Sequence, residues 1–277
     1  MKERILMKSI LVIGSTGKQG NAVVKQLLSD GWHVRALTRN KNNEKLTSID
    51  SDKLEIVEGD LSDQQSLEQA MQGQYGVYSV QPIVKDDIAE ELRQGKMIIQ
   101  LAEKQNIEFV VYSTAGGVNR DRKGPHFEAL ADIENTLKAS SLNFAIIKPS
   151  FFMDNFLRIA KKENQQIVIP EFISPDVKFA MISSIDIARI AANLFKDPAQ
   201  YNHQAIEIAS DELTLNEVVK TFATVTGMPT EIKGEFVSGT AERSWLEEKG
   251  YVVDFDLMNQ INPDKLSLAQ WIEEVQF

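Results

Sequence analysis

A chain of 277 residues with 43% hydrophobic and 25% charged side chains has the make-up of a globular protein, long enough for one or two domains and a large buried core. Its 40 Asp and Glu outnumber 30 Lys and Arg, a formal net charge of −10 at pH 7 without a compensating basic cluster, so direct nucleic-acid binding is not expected. The absence of cysteine excludes disulfides, thiolate metal sites, iron–sulfur clusters and a cysteine nucleophile, and suits a reducing cytoplasm.

Met1–Lys8 mixes charged and apolar residues, and no apolar core with a small-residue cleavage site follows it. No run approaches the roughly 20 apolar residues that span a bilayer, so the expectation is a cytoplasmic protein without a membrane segment. Ser9–Ile13 is a short apolar run that predicts a first strand, stopped by Gly14. Asn21–Leu28 has helical spacing, with Gly31 as its stop. His33–Thr38 and Leu54–Glu58 read as the second and third strands. Ser62 to Met71 predicts a helix in which Ser62 and Gln65 form a capping box. Tyr75–Val80 is a fourth strand, Asp87–Lys104 a long helix and Glu108–Ser113 a fifth strand. His126–Ala139 is helical, and Asn143–Lys148 is a sixth strand ended by Pro149.

Strands alternating with helices of this length need crossover connections, which build a parallel sheet covered on both faces. The expected fold class is α/β, a doubly wound parallel sheet of the nucleotide-binding kind. Beyond Pro149 the rhythm loosens. Ser184–Phe195 and Thr214–Thr224 predict helices, Ala205–Ala209 predicts a strand, and prolines at 170, 175, 198, 229 and 263 separate short elements. The expected division is a nucleotide-binding domain over 1–150 and a smaller C-terminal α+β lobe over 151–277.

Gly14-Ser15-Thr16-Gly17-Lys18-Gln19-Gly20 joins the first strand to the first helix with G-x-x-G-x-x-G spacing. Glycines permit a tight turn and close backbone approach, and a helix N-terminus offers free N–H groups and partial positive charge to a pyrophosphate. The competing reading is a structural turn. An NAD site usually carries an acid at the end of strand two to accept from the ribose 2′-hydroxyl. Here that strand ends Thr38-Arg39-Asn40-Lys41, so Arg39, with Lys41 nearby, stands where a cation can pair with a 2′-phosphate. NADP(H) is the expected cofactor, although Arg39 and Lys41 also suit a solvated loop. Asp60, followed by Leu61, lies in the loop after strand three, where it suits an adenine contact or equally a turn and helix cap. Val80 and Gln81 end strand four and complete the expected cofactor set with Ser113.

These residues resemble the NmrA-like family of atypical short-chain dehydrogenases. The likeness runs through Gly14–Gly20, Thr38-Arg39-Asn40, Gly59-Asp60, Val111-Tyr112-Ser113, His126-Phe127, Glu134 and Pro149–Phe156, and on to Asn262-Pro263 and Leu268–Ile272. It implies a nucleotide-binding core, NADP(H) binding and a cleft roofed by the C-terminal lobe. It is closest to the redox-sensing NADPH binders, with quinone and carbonyl reductases as related branches.

Three departures stand out. No tyrosine has lysine four residues on, so the Tyr-x-x-x-Lys pair that delivers a proton in short-chain dehydrogenases is missing. Many members of the resembled family keep a lysine four residues beyond the His of the His-Phe pair; here that residue is Leu130. An Arg-Pro often found after strand six is Lys148-Pro149. Efficient carbonyl reduction is therefore not expected. Ser113, Thr114 and His126 are the candidates for residual chemistry, with His126 reading also as a helix-start residue without a task. Phe151, Phe152 and Phe156 fit either a cleft lining or core, and the three histidines show no metal-ligand spacing. The first functional expectation is a redox-state-sensing regulatory protein that binds NADP(H), with weak or no turnover. The alternative is an NADPH-dependent oxidoreductase of a small quinone or carbonyl compound. A protein partner, a small-molecule substrate and a homodimer all stay open.

Overall fold

Short apolar runs and amphipathic helices alternate through the first half of the chain. In the computed structural model, which describes residues 8–84, 87–235 and 240–277, they form β1 (Ser9–Ile13), α1 (Lys18–Ser29), β2 (His33–Thr38), α2 (Glu44–Thr47), β3 (Leu54–Glu58), α3 (Gln64–Met71), β4 (Gly76–Val80), α4 (Ile88–Lys104), β5 (Phe109–Ser113), α5 (Pro125–Lys138) and β6 (Phe144–Pro149). Then follow β7 (Phe151–Phe152), α6 (Phe156–Ile159), β8 (Lys161–Glu163), β9 (Gln166–Glu171), β10 (Lys178–Ile182), α7 (Ser184–Lys196), α8 (Pro198–Tyr201), β11 (Gln204–Ile208), β12 (Asp211–Thr214), α9 (Leu215–Thr226), β13 (Thr230–Glu235), α10 (Thr240–Glu248), α11 (Phe255–Ile261) and α12 (Leu268–Glu274). The charged N-terminal stretch before Lys8 lies outside the described residues.

Seven strands make a parallel sheet in the order β11-β6-β5-β4-β1-β2-β3, a Rossmann-like arrangement. β1 is central, pairing Ile10 with Val34 of β2 on one side and with Gly76 of β4 on the other. Its residues Ile10–Ile13 are at most 1% exposed, as a strand covered on both faces must be. On one face Leu11, Val77 and Val110 meet Leu67 and Met71 of α3, Ile98 of α4 and Ile133 of α5. On the other, Phe195 of α7 packs edge-on against Phe109 and so close to Gly76 that a Cβ there would lie 2.7 Å from its ring. Because the order reverses between β1 and β4, the carboxyl ends of these two strands open a crevice, the usual ligand site of such sheets.

The structure departs from the sequence expectations in three places. The helix after β1 begins at Lys18, inside the glycine motif, with Gly17 as N-cap. The Ser62–Gln65 box does not form; Asp63 caps α3 by accepting from the Gln65 N–H, while the Ser62 hydroxyl donates to Asp60. The strand near 205–209 joins the central sheet and does not belong to a sheet of the C-terminal part. As β11 it extends the central sheet beside β6.

The chain clusters into two compact units, and not by a single cut between residues 150 and 151. The first holds residues up to Thr114, Pro125–Ile147 and Ile187–Ile206; the second holds Ala115–Gly124, Lys148–Asp186 and Glu207–Phe277. The second unit carries two three-stranded sheets, β12-β10-β7 and β13-β9-β8. Arg120 ties its first segment in, donating to both oxygens of Glu207 at 2.8 Å. Asp186 is wholly buried and accepts from Ser183, Ser210 and Asn262 side chains and the Leu266 N–H, at 2.7–3.1 Å, which gives Asn262 a structural role. Phe151 stacks on Phe172 at 5.0 Å between centroids, and Phe156 is fully buried against Phe222 and Trp271. Phe151 and Phe156 therefore pack in the aromatic core of this unit.

Candidate functional site

The glycine motif leaves the end of β1 in a turn closed by Gly17 N–H to Gly14 carbonyl at 2.9 Å. Its glycines answer to different constraints. Gly14 has φ +79, and a Cβ on it would sit 2.4 Å from the Val80 carbonyl. A Cβ on Gly20 would lie 2.2 Å from the Gly14 carbonyl. Gly17 is extended, with φ −74, and its Cβ would meet only the Gly14 carbonyl, at 3.3 Å. The turn and its packing on β4 thus account for Gly14 and Gly20. Gly17, exposed at the mouth of α1, is crowded only mildly by the turn.

Several side chains in the motif serve the turn itself. Ser15 is buried and donates to the Leu37 carbonyl at 2.6 Å, pinning the turn to β2. Gln19 is buried and accepts from the Tyr78 hydroxyl at 2.9 Å. The Thr16 carbonyl accepts from Lys45 of α2 at 3.0 Å, a tie the sequence did not announce. Lys18 is exposed.

Arg39 and Lys41 are exposed just past β2, and among the described residues Arg39 makes no hydrogen bond. Asp60, past β3, accepts from the Ser62 backbone N–H and hydroxyl, each at 2.8 Å. Those bonds, the backbone one first, and the charge of Arg39 hold its carboxyl below the usual range. Leu61 packs half-buried against the core. Val80 pairs with Ser113 across the carboxyl ends of β4 and β5. Arg39, Asp60, Val80 and the glycine turn therefore share the carboxyl-end edge of the sheet.

The candidate proton donors differ sharply in their surroundings. Ser113 is 3% exposed, and its hydroxyl has no partner of good hydrogen-bond geometry among the described residues. The Thr114 hydroxyl is spent on buried Glu134, at 2.8 Å. Tyr78 and Tyr112, the aromatic hydroxyls of this edge, are wholly buried, and burial pushes both phenols up, so they act as neutral donors to Gln19 and Gln81. Gln81 faces inward, accepting from Tyr112 at 2.8 Å and donating to the Glu91 carbonyl. His126, in the first turn of α5, places Nδ1 2.7 Å from Oε1 of Glu91 on α4. Leu130 is 5% exposed and belongs to the core. Glu91 was missed in the sequence, yet its signal is there. It occupies the buried phase of α4 with Gln94, Ile98 and Leu101, where an acid is out of place unless partnered. No group of three His, Asp or Glu among the described residues could hold a metal ion, and no described helix is long and apolar enough to cross a membrane.

The NmrA-like oxidoreductase ptmS of Penicillium ochrochloron is 26% identical over 256 residues, covering 82% of this chain and 75% of that protein. The solved negative transcriptional regulator NmrA, in complex with NADP, superposes with a TM-score of 0.79 at 17% identity, covering 98% of this chain and 95% of that one. The NADPH-dependent quinone oxidoreductase QOR2 of Escherichia coli, complexed with NADPH, gives 0.78 at 18% identity, covering 98% and 100%. The two structures speak for the fold. The profile of the NmrA-like family matches residues 7–262, so the chain belongs to the NmrA-like family.

Proposed function

We propose that this protein binds NADP(H) at the carboxyl edge of β1–β4 and reduces a small quinone- or carbonyl-type acceptor with it. The contrast among the loop glycines carries the reading: Gly14 and Gly20 are demanded by the turn, whereas Gly17 is bare where a pyrophosphate would meet the N-terminus of α1. The loop backbone and the α1 N-terminus would hold the pyrophosphate, Arg39 with Lys41 the 2′-phosphate, and Asp60 the adenine side; when bound, the nicotinamide supplies a hydride. Arg39 supports NADP(H) over NAD(H), since it is exposed, without a hydrogen bond among the described residues, and no acid ends β2. The oxidoreductase name of the relative ptmS supports turnover.

Leu130 favours a second reading, the redox sensor. It is packed in the core where the family resemblance leads one to expect a lysine, and a sensor would need cofactor occupancy and a protein partner without turnover. Fluorescence titration with NADPH and NADH tests the cofactor. Arg39→Ala is expected to weaken NADPH selectively by about 1.5–3 kcal/mol, the usual worth of a hydrogen bond to a charged group; equal affinities for the two nucleotides in the unaltered protein contradict the assignment. NADPH oxidation with a panel of quinones and aldehydes then separates the two functional readings, binding without oxidation supporting the sensor.

A further inference from the structure

We propose that His126 is the proton donor of the reduction and that Glu91 is the positioning residue that aims it; the assignment rests on the reductase reading. Glu91 is 0% exposed, and the imidazole of His126 is 26% exposed, so the pair runs from the interior to the surface of the first unit. Oε1 of Glu91 meets Nδ1 of His126 at 2.7 Å, and Oε2 has no hydrogen-bond partner among the described residues. His126 is thus the side chain that partners this buried carboxyl group. The position of Glu91 in the first turn of α4 adds the partial positive charge of the helix N-terminus. With Glu91 as the acceptor of this bond, Nδ1–H is the donor, the ring orientation is set and Nε2 is the nitrogen left to face a substrate.

The pair is coupled to the cofactor edge. Gln81, the residue after β4, donates to the Glu91 carbonyl and accepts from Tyr112, the neighbour of Ser113. Of the other hydroxyls of this edge, Thr114 is committed to Glu134, Tyr112 to Gln81 and Tyr78 to Gln19, and Ser113 is 3% exposed. The bound reduced cofactor would supply the hydride to the carbonyl carbon of an aldehyde; as the carbonyl π pair moves to oxygen, that oxygen would take its proton from Nε2–H of the His126 imidazolium. The ring is left neutral with Nδ1–H on Glu91, and solvent returns the proton. Hydride transfer to a quinone gives a stabilised phenolate that can take its proton from water, so His126 matters less there.

His126→Asn is the central variant, because the asparagine amide can still donate to Glu91 and keep the carboxylate partnered. Expected are unchanged NADPH affinity and melting temperature, a loss of about 10²–10⁴-fold in kcat for aldehydes, as for removal of a general acid, and a much smaller loss for quinones. Imidazole added to His126→Ala should restore part of the aldehyde rate. Glu91→Gln should lower kcat with KM little changed. Nitrogen-15 NMR of the protein without nucleotide gives a readout independent of turnover. The proton of the neutral ring is expected on Nδ1; a ring protonated on Nε2 instead overturns the proposal. Aldehyde turnover by His126→Asn within about threefold of the unaltered protein, or quinone turnover without any aldehyde turnover, overturns the role of His126 and leaves the reductase reading standing. No oxidation of bound NADPH by either acceptor overturns the reductase reading itself, and this role with it.

Discussion

Gly17 is the loop glycine on which the proposed pyrophosphate placement turns, because the turn itself crowds it only mildly. Its backbone is extended and not left-handed, so Gly17→Val brings no φ strain. Its Cβ would ask only a few tenths of an ångström from the Gly14 carbonyl. The expected outcome is a variant that melts within a few degrees of the parent and no longer gains stability from NADPH; a retained NADPH-induced shift contradicts the placement of the pyrophosphate. Residue types at this scale were readable, residue directions much less so. The glycine spacing, Arg39 and the missing acid after β2 are local patterns and stand out in sequence. Ser15 and Gln19 sit in the same motif, yet their partners, Leu37 and Tyr78, come from other strands, and nothing local reveals that both side chains turn inward. Glu91 is the converse case: its position on the buried face of α4 was legible, whereas its partner 35 residues away was not.

At the scale of elements, the start of α3 shows how neighbouring caps compete. Ser62, Asp63 and Asp60 all offer oxygens near the helix start. Asp63 takes the Gln65 N–H at 2.9 Å, leaving Ser62 to serve Asp60. Asp63→Ala is therefore expected to cost about 1 kcal/mol, the usual worth of an N-cap, in urea denaturation. Ser62→Ala should instead loosen the carboxylate of Asp60 and act on nucleotide affinity. Equal stability losses in the two variants argue against this division of labour. Helix and strand existence was legible because apolar spacing reports burial directly. Strand order was not, since β11 lies beyond α7 and α8 in sequence yet pairs beside β6, and no local pattern encodes that neighbour.

For the molecule as a whole, acid is the expected weak side. Asp60 is held low by the Ser62 bonds, Glu217 by the Thr214 backbone and hydroxyl, and Glu247 by the Ser174 hydroxyl and backbone with Arg243. A carboxylate whose folded pKa lies below its unfolded value of about 4 contributes stability that is complete above that value and is lost as pH falls through the folded one. The melting temperature should accordingly stay level from pH 7 to about 5 and fall below about 4; a melting temperature that climbs between pH 5 and 3 contradicts it. The partition of the chain has another consequence, for its synthesis. The sheet draws its seventh strand, and the helix bearing Phe195, from residues 184–208, after the segment 148–186 has been made for the other unit. A nascent chain ending near Pro149 holds six of the seven strands but leaves Gly76, Phe109 and Trp32 without the Phe195 ring that covers them. Units fold as wholes during translation. The glycine loop, complete by Gly20, therefore waits for residues nearly two hundred positions downstream to finish the sheet that supports it.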